Sequence, residues 1–217
     1  MDQFKDRSHA GTELARRLKD YGAEGALVVL GMARGGIPVA FRVAEELDAP
    51  LDLFIVRKLG VPGHEELAMG AIATGGIRVI NEDVVRHLSI PEDLLARVAA
   101  QEQGALEDRE RKYRGGRKAP DLEGKTVILV DDGVATGASM KAALYAIREQ
   151  NPERIVVAVP VAHPSVCEEL EELANEVVCL RTPPVVQSIG SWYQDFSQTP
   201  DEEVRDLLNR ARRPEDA

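Results

Sequence analysis

The stretch Val127-Ile-Leu-Val-Asp-Asp-Gly-Val-Ala-Thr-Gly-Ala-Ser139 decides the fold of this chain. Four consecutive apolar residues, Val127 to Val130, suit a strand buried on both faces. The small-residue turn Gly133, Val134, Ala135, Thr136, Gly137 then leads into a helix opening near Ala138 and Ser139. In open α/β sheets, turns of this kind lie outside the carboxyl ends of the strands, where ligands bind. Consecutive amides in a tight loop, backed by a helix N-terminus, favour a phosphate, and the Thr136 and Ser139 hydroxyls add donors. Gly133 and Gly137 permit close approach or unusual backbone angles. Asp131 and Asp132 would repel a phosphate set directly against them. They suit sugar hydroxyls or a magnesium ion, held directly or through water.

Outward from this loop, apolar runs recur at Ala26 to Leu30, Leu51 to Val56, Ile155 to Val159 and Val177 to Leu180. Amphipathic stretches at Pro38 to Leu47, Ser139 to Glu149 and Pro164 to Leu173 alternate with them. The alternation predicts an α/β fold, a doubly wound and mostly parallel sheet with right-handed crossovers. A further helix is expected near the start, with Ala10, Leu14, Ala15, Leu18 and Tyr21 on one face and Gly22 as its stop. The region of about 59–125 reads as an insertion. It holds a hairpin of Met69 to Ala73 and Ile77 to Ile80 turned at Thr74-Gly75-Gly76, then a helix from Pro91 to about Tyr113 and a basic loop Arg114-Gly-Gly-Arg-Lys118. Residues 1–180 form the expected core and 181–217 a C-terminal hood and tail packed on it, with a polar helix from about Pro200, the whole being one domain.

The 217 residues are 44% hydrophobic and carry a formal net charge of -10. Neutralising nucleic-acid phosphates needs an excess of Lys and Arg, so a general nucleic-acid surface is not expected. No apolar stretch reaches the roughly 20 residues a membrane span requires. The charged start Met1-Asp2-Gln3-Phe4-Lys5-Asp6-Arg7 does not read as a secretion signal, and a cytoplasmic location is expected. Cys167 and Cys179 lie outside any CxxC pattern and read as small apolar residues, with neither zinc site nor disulfide suggested.

The acidic loop resembles the signature of the type I phosphoribosyltransferases: four apolar residues, two acidic, three variable, Thr-Gly, one variable and Thr. Ser139 takes the place of the final Thr and keeps its hydroxyl. The resemblance implies a Rossmann-like core with a small hood, and a reaction that transfers 5-phosphoribosyl between phosphoribosyl pyrophosphate and a nitrogenous base. Magnesium pyrophosphate would be the leaving group, so Mg2+ is the implied cofactor. Asp131 and Asp132 would hold the ribose hydroxyls and serve catalysis, and Gly133 to Ser139 would hold the 5-phosphate. Ala135 stands where the hypoxanthine and xanthine-guanine relatives carry an Asp for the purine N7 proton, which disfavours a 6-oxopurine acceptor.

Leu30-Gly-Met-Ala-Arg-Gly-Gly-Ile-Pro38 is a second strand-to-helix loop. It is similar to the family's pyrophosphate loop, so Ala33, Arg34, Gly35 and Gly36 are expected to bind pyrophosphate, and a non-proline cis peptide often occurs there. Arg57 and Lys58 follow the second strand and resemble the basic pair of orotate-type relatives, a catalytic role that competes with a solvated strand end. Val61 to Leu67 fits a mobile lid, with His64 either touching pyrophosphate or solvated and Glu65 and Glu66 at the surface. Trp192, Tyr193 and Phe196 gather three aromatics that could stack on a base, with Asp195 or Gln194 bonding its edge, or could be core or dimer residues; His163 is a further candidate base contact. The run Arg109, Arg111, Lys112, Arg114, Arg117, Lys118 suits a solvated helix end, a homodimer contact or an electropositive rim. Two rival functions share the ligand: a non-catalytic regulatory protein that binds phosphoribosyl pyrophosphate or a nucleotide, and a hydrolase on the same fold.

Overall fold

The structure, a computed structural model, describes residues 3–23 and 25–212. The first two residues of the charged start and the end of the tail expected at 181–217 fall outside the described residues. Helix α1 (Arg7–Leu18) opens where the Asp6 carboxylate accepts the His9 N–H at 2.7 Å, and it buries Ala10, Leu14, Ala15 and Leu18. The chain tightens into a 3-10 turn over Lys19–Ala23, so the α-helix stops four residues before Gly22. There follow β1 (Leu27–Met32), α2 (Gly36–Glu46) and β2 (Leu51–Phe54). After an excursion come β3 (Val56–Val61), β4 (His64–Ala73), β5 (Ile77–Ile80), α3 (Glu82–His87) and α4 (Glu92–Arg114). The chain then returns through β6 (Thr126–Val130), α5 (Ala138–Arg148), β7 (Arg154–Val161), α6 (Pro164–Glu171) and β8 (Glu176–Arg181), and α7 (Asp201–Arg210) follows.

The central sheet has the order β2-β1-β6-β7-β8, with every pairing parallel. Its strands are continuously apolar because both faces are covered. Val29, Ile128, Val130, Val156 and Ala158 face α1 and α2, while Val28, Leu30, Val127, Leu129, Val157 and Val159 face α5 and α6. This is the doubly wound α/β architecture that the alternation predicts.

The second strand is shorter than Leu51 to Val56. It ends at Phe54, because Ile55 exchanges hydrogen bonds with Thr74 instead of its sheet neighbour: its N–H goes to Thr74 Oγ1 and its carbonyl accepts the Thr74 N–H, each at 2.9 Å. Arg57 and Lys58 therefore belong to a separate antiparallel sheet of order β3-β4-β5. The segment Val61 to Leu67, expected as a lid, is the Pro62-Gly63 turn between β3 and β4 together with the start of β4, and Gly63 has φ 82°. The side chains of Glu65 and Glu66 fall outside the described residues.

Cys167 on α6 and Cys179 on β8 are joined as a disulfide, which corrects the expectation of two unlinked cysteines. The return from α6 to the edge strand brings together two residues that share no motif. The basic run divides as well. Arg114 is buried, its Nε between both Asp52 oxygens at 3.1 and 3.0 Å, its Nη1 on Glu110 and its Nη2 on the Leu53 carbonyl. Arg111 stays exposed beside Asp108. Among the described residues no helix is long and apolar enough to cross a membrane.

Candidate active site

β6 delivers Asp131 and Asp132 to the carboxyl edge of the sheet, next to the end of β1. The Asp131 carboxylate accepts the Asp132 N–H at 2.9 Å. Burial, with repulsion from Asp132 as the second cause, holds the Asp131 carboxyl well above the usual carboxylate range; burial raises Asp132 too, against the opposing pull of Arg7.

Beyond the acids, Val134 anchors the loop. Its side chain is buried and its N–H donates to the Val161 carbonyl at 2.9 Å, forming an isolated parallel bridge with Ala162. Val134 thereby sets the loop's height on β7 rather than offering an amide to a ligand. The next residues are open: Ala135, Thr136, Ala138 and Ser139 are exposed, and Gly137 caps α5 at φ 76°, a left-handed conformation suited to glycine. Among the described residues the amides of Ala135, Thr136 and Gly137 have no partner, and those of Ala138 and Ser139 lie in a first helical turn that has none to give them. The loop presents these open amides with the positive end of α5 behind them.

The second loop abuts the first. Ala33 donates to the Phe54 carbonyl at 3.1 Å, the Ala33-Arg34 peptide is cis, and Gly35 and Gly36 open α2. A Cβ on Gly35 would stand 2.1 Å from Asp132 Oδ2, and one on Gly36 would stand 2.7 Å from the Val130 carbonyl and 2.9 Å from Asp131 Cα. Only glycine lets the two loops close on one another here. The Arg34 side chain leans on Asp201 at the start of α7, at 3.4 Å. Asp201 also accepts from the Tyr113 hydroxyl at 2.6 Å and pairs with Lys112. These bonds hold its carboxyl below the usual range, while burial pushes the Tyr113 hydroxyl up to about 12.

The remaining candidates are dispersed. Arg57 turns to Glu102 on α4, and Lys58 projects from β3 into solvent. His64 is exposed at the start of β4. His163 caps α6: Nδ1 accepts the Ser165 N–H at 3.2 Å, which leaves Nε2 to donate to the Pro184 carbonyl at 3.0 Å. Trp192 and Tyr193 are buried with Phe4 and Val161, and Phe4 and Tyr193 form a parallel bridge. Asp195 is exposed and accepts the Ser197 N–H at 2.9 Å.

Three residues that no local motif signals, Arg7, Tyr193 and Ile189, meet the acidic pair and its loop. Arg7 Nε donates to Asp132 Oδ2 at 2.8 Å and its Nη1 to the Ser197 carbonyl at 2.6 Å. The Tyr193 hydroxyl donates to the Asp132 carbonyl at 2.6 Å. Ile189 packs where a Cβ on Gly133 would sit, 2.5 Å away.

A parallel doubly wound sheet whose adjoining carboxyl edges carry an acidic pair, an open amide loop and a second glycine loop places the chain among the doubly wound α/β proteins. The chain belongs to the phosphoribosyl transferase domain family, whose model matches residues 1–191. It is 44% identical over 213 residues to Mycobacterium tuberculosis proteins of strains CDC 1551 (MT0597) and H37Rv (Rv0571c), both of which carry provisional phosphoribosyl transferase names. The match covers 98% of this chain but 48% of theirs, so the chain spans about half the length of these relatives. The crystal structure of TT1426 from Thermus thermophilus superposes with a TM-score of 0.85 at 44% identity, covering 96% of this chain and 98% of that one.

Proposed function

We propose that the chain is an enzyme that transfers 5-phosphoribosyl between phosphoribosyl pyrophosphate and a nitrogenous base. The observation that carries this reading is the contact between the two loops. An acidic pair flanked by open amides lies against a second anion loop through Gly35 and Gly36, so one ligand with a phosphate at each end and a diol between them could span both. On this reading Asp131 and Asp132 hold the ribose hydroxyls, Ala135 to Ser139 the 5-phosphate, and Arg34 to Gly36 the diphosphate.

The donor set suits a hard divalent cation. Two largely buried carboxylates, both raised by desolvation and Asp131 also by the charge of Asp132, would be relieved by Mg2+, which commonly takes one or two carboxylates and draws its other oxygens from substrate phosphates and water. Among the described residues no group of three or more His, Cys, Asp or Glu side chains could cage a metal alone, consistent with a cation that arrives with its ligand. Bound there, it would neutralise the leaving pyrophosphate. The chain's own residues supply positioning, fixed charge and a cover against water.

The test is isothermal titration of phosphoribosyl pyrophosphate with magnesium into wild type and the Asp131→Asn, Asp132→Asn double variant, followed by a base panel. Binding lost in the variant, with turnover on one base, supports transfer. Equal binding in both proteins, or none in either, sinks it. Variant-sensitive binding without turnover turns the reading to a regulatory protein, and ribose 5-phosphate released without a base turns it to a hydrolase. An acceptor other than a 6-oxopurine is expected from Ala135, and a cytoplasmic homodimer remains part of the proposal.

A further inference from the structure

The acidic pair already has a cation. Among the described residues its one ion-pair partner is Arg7, the first residue of α1, 125 positions away in sequence. Both side chains are largely withdrawn from solvent, at 12% and 14% exposure. The guanidinium is stacked on the Phe196 ring at 3.9 Å and bonded to the Ser197 carbonyl. Asp132 Oδ2 is the oxygen it holds, and that same oxygen is pressed against Gly35. In this arrangement Asp132 Oδ2 is turned between the glycine loop and Arg7, so a sugar hydroxyl that takes up this oxygen competes with the guanidinium for it.

Arg7 does not act alone. Residues Phe4 and Lys5 are laced to the hood: the Phe4 N–H donates to the Trp192 carbonyl, the Gln194 N–H to the Phe4 carbonyl and the Asp195 N–H to the Lys5 carbonyl, at 2.8 to 2.9 Å. Arg181 lies over the Phe4 ring at 3.7 Å. The start of the chain and the hood thus form one cover, fastened to the acidic pair through the Arg7 ion pair and the Tyr193 hydroxyl. Phe196, one of the aromatics available to a base, has a face occupied by Arg7, and Trp192 and Tyr193 are spent on packing.

We propose that Arg7 is a latch: it fills the ribose end of the site in the unliganded protein and must be exchanged for the ligand, releasing the joint cover of the chain start and the hood. The proposal rests on the phosphoribosyl reading for the identity of the ligand. The latch itself does not. A protein held mostly in a latched state binds its ligand with an affinity reduced by the fraction unlatched, and removing the latch restores that affinity.

The test compares wild type, Arg7→Gln and Phe196→Leu, the last leaving the charge but removing the ring beneath it. Arg7→Gln is expected to bind magnesium phosphoribosyl pyrophosphate about tenfold more tightly and Phe196→Leu by a smaller factor in the same direction. Unchanged or weaker binding in Arg7→Gln, with wild type still binding, overturns the latch and leaves the phosphoribosyl reading intact. Trp192 is the only tryptophan, sits in the cover and is 8% exposed, so its quenching by acrylamide reports the cover without any ligand. If no protein binds the ligand, the phosphoribosyl reading fails and quenching alone decides. Increased quenching in unliganded Arg7→Gln supports the latch, and quenching equal to wild type overturns it.

Discussion

At the scale of single residues, the site is a place where stability is given up for an ionic arrangement. Because the Asp131 and Asp132 carboxyls are raised in the fold relative to an unfolded chain, their contribution is most favourable at low pH and is lost as pH rises through the raised range. Asp131→Asn removes this loss while keeping an oxygen for the Asp132 N–H. The unliganded variant should gain stability relative to wild type as pH rises through the range in which the wild-type Asp131 carboxyl ionises. Melting temperatures measured from pH 4 to pH 8 check this, and a variant less stable than wild type at pH 8 contradicts it. Gly35→Ala should act in the opposite sense. Its Cβ would collide with Asp132 Oδ2, forcing the loops apart at a cost of about 1–3 kcal/mol and, on the proposed function, abolishing ligand binding although every charged group remains. Denaturant unfolding with the same titration separates the two effects.

At the scale of elements, α4 shows how a run of like residues takes unlike parts. Its last residue, Arg114, is turned inward beside Asp52 of β2, with Gly115 in the left-handed conformation (φ 63°) ending the helix. Desolvation raises the Asp52 carboxyl even with the guanidinium beside it, so the pair gives little net stability but is costly to break. Arg114→Ala is expected to destabilise by about 3–5 kcal/mol, whereas Arg111→Ala, on an exposed neighbour, should fall within about 0.5 kcal/mol. Equal effects in urea denaturation would place Arg114 at the surface. The helix itself was legible between Pro91 and Tyr113, and the β4–β5 turn was legible from Thr74-Gly75-Gly76, because periodicity and glycines are local signals. The break at Ile55 was not legible. It depends on Thr74, 19 residues on, taking the hydrogen bonds that the sheet would otherwise have used.

At the scale of the whole molecule, α7 lies beyond the residues that the family model matches, yet it braces the site. Val204 and Leu208 are buried in the core shared with α2 and β2, and Asp201 reaches Arg34. Leu208→Ala should cost about 2–4 kcal/mol in denaturant unfolding. Asp201→Asn should leave the fold intact and, on the proposed function, weaken ligand binding by no more than about fivefold, since the pair is partly exposed. A larger loss would mean that Asp201 does more than steady Arg34.

The sequence by itself determined the doubly wound sheet, the acidic loop on β6 and the glycine loop on β1, because each is written in consecutive residues whose apolar period, small side chains and charges act locally. Only the tertiary structure decided that Gly35 and Gly36 close on the acids, that Arg57 and Lys58 belong to a second sheet, that Cys167 meets Cys179, and that Arg7 is the counter-ion of Asp132. Those pairings join residues up to 125 positions apart. What selects them is which surfaces the sheet and its helices bring within hydrogen-bonding range once the core is buried, and no stretch of chain carries that information alone.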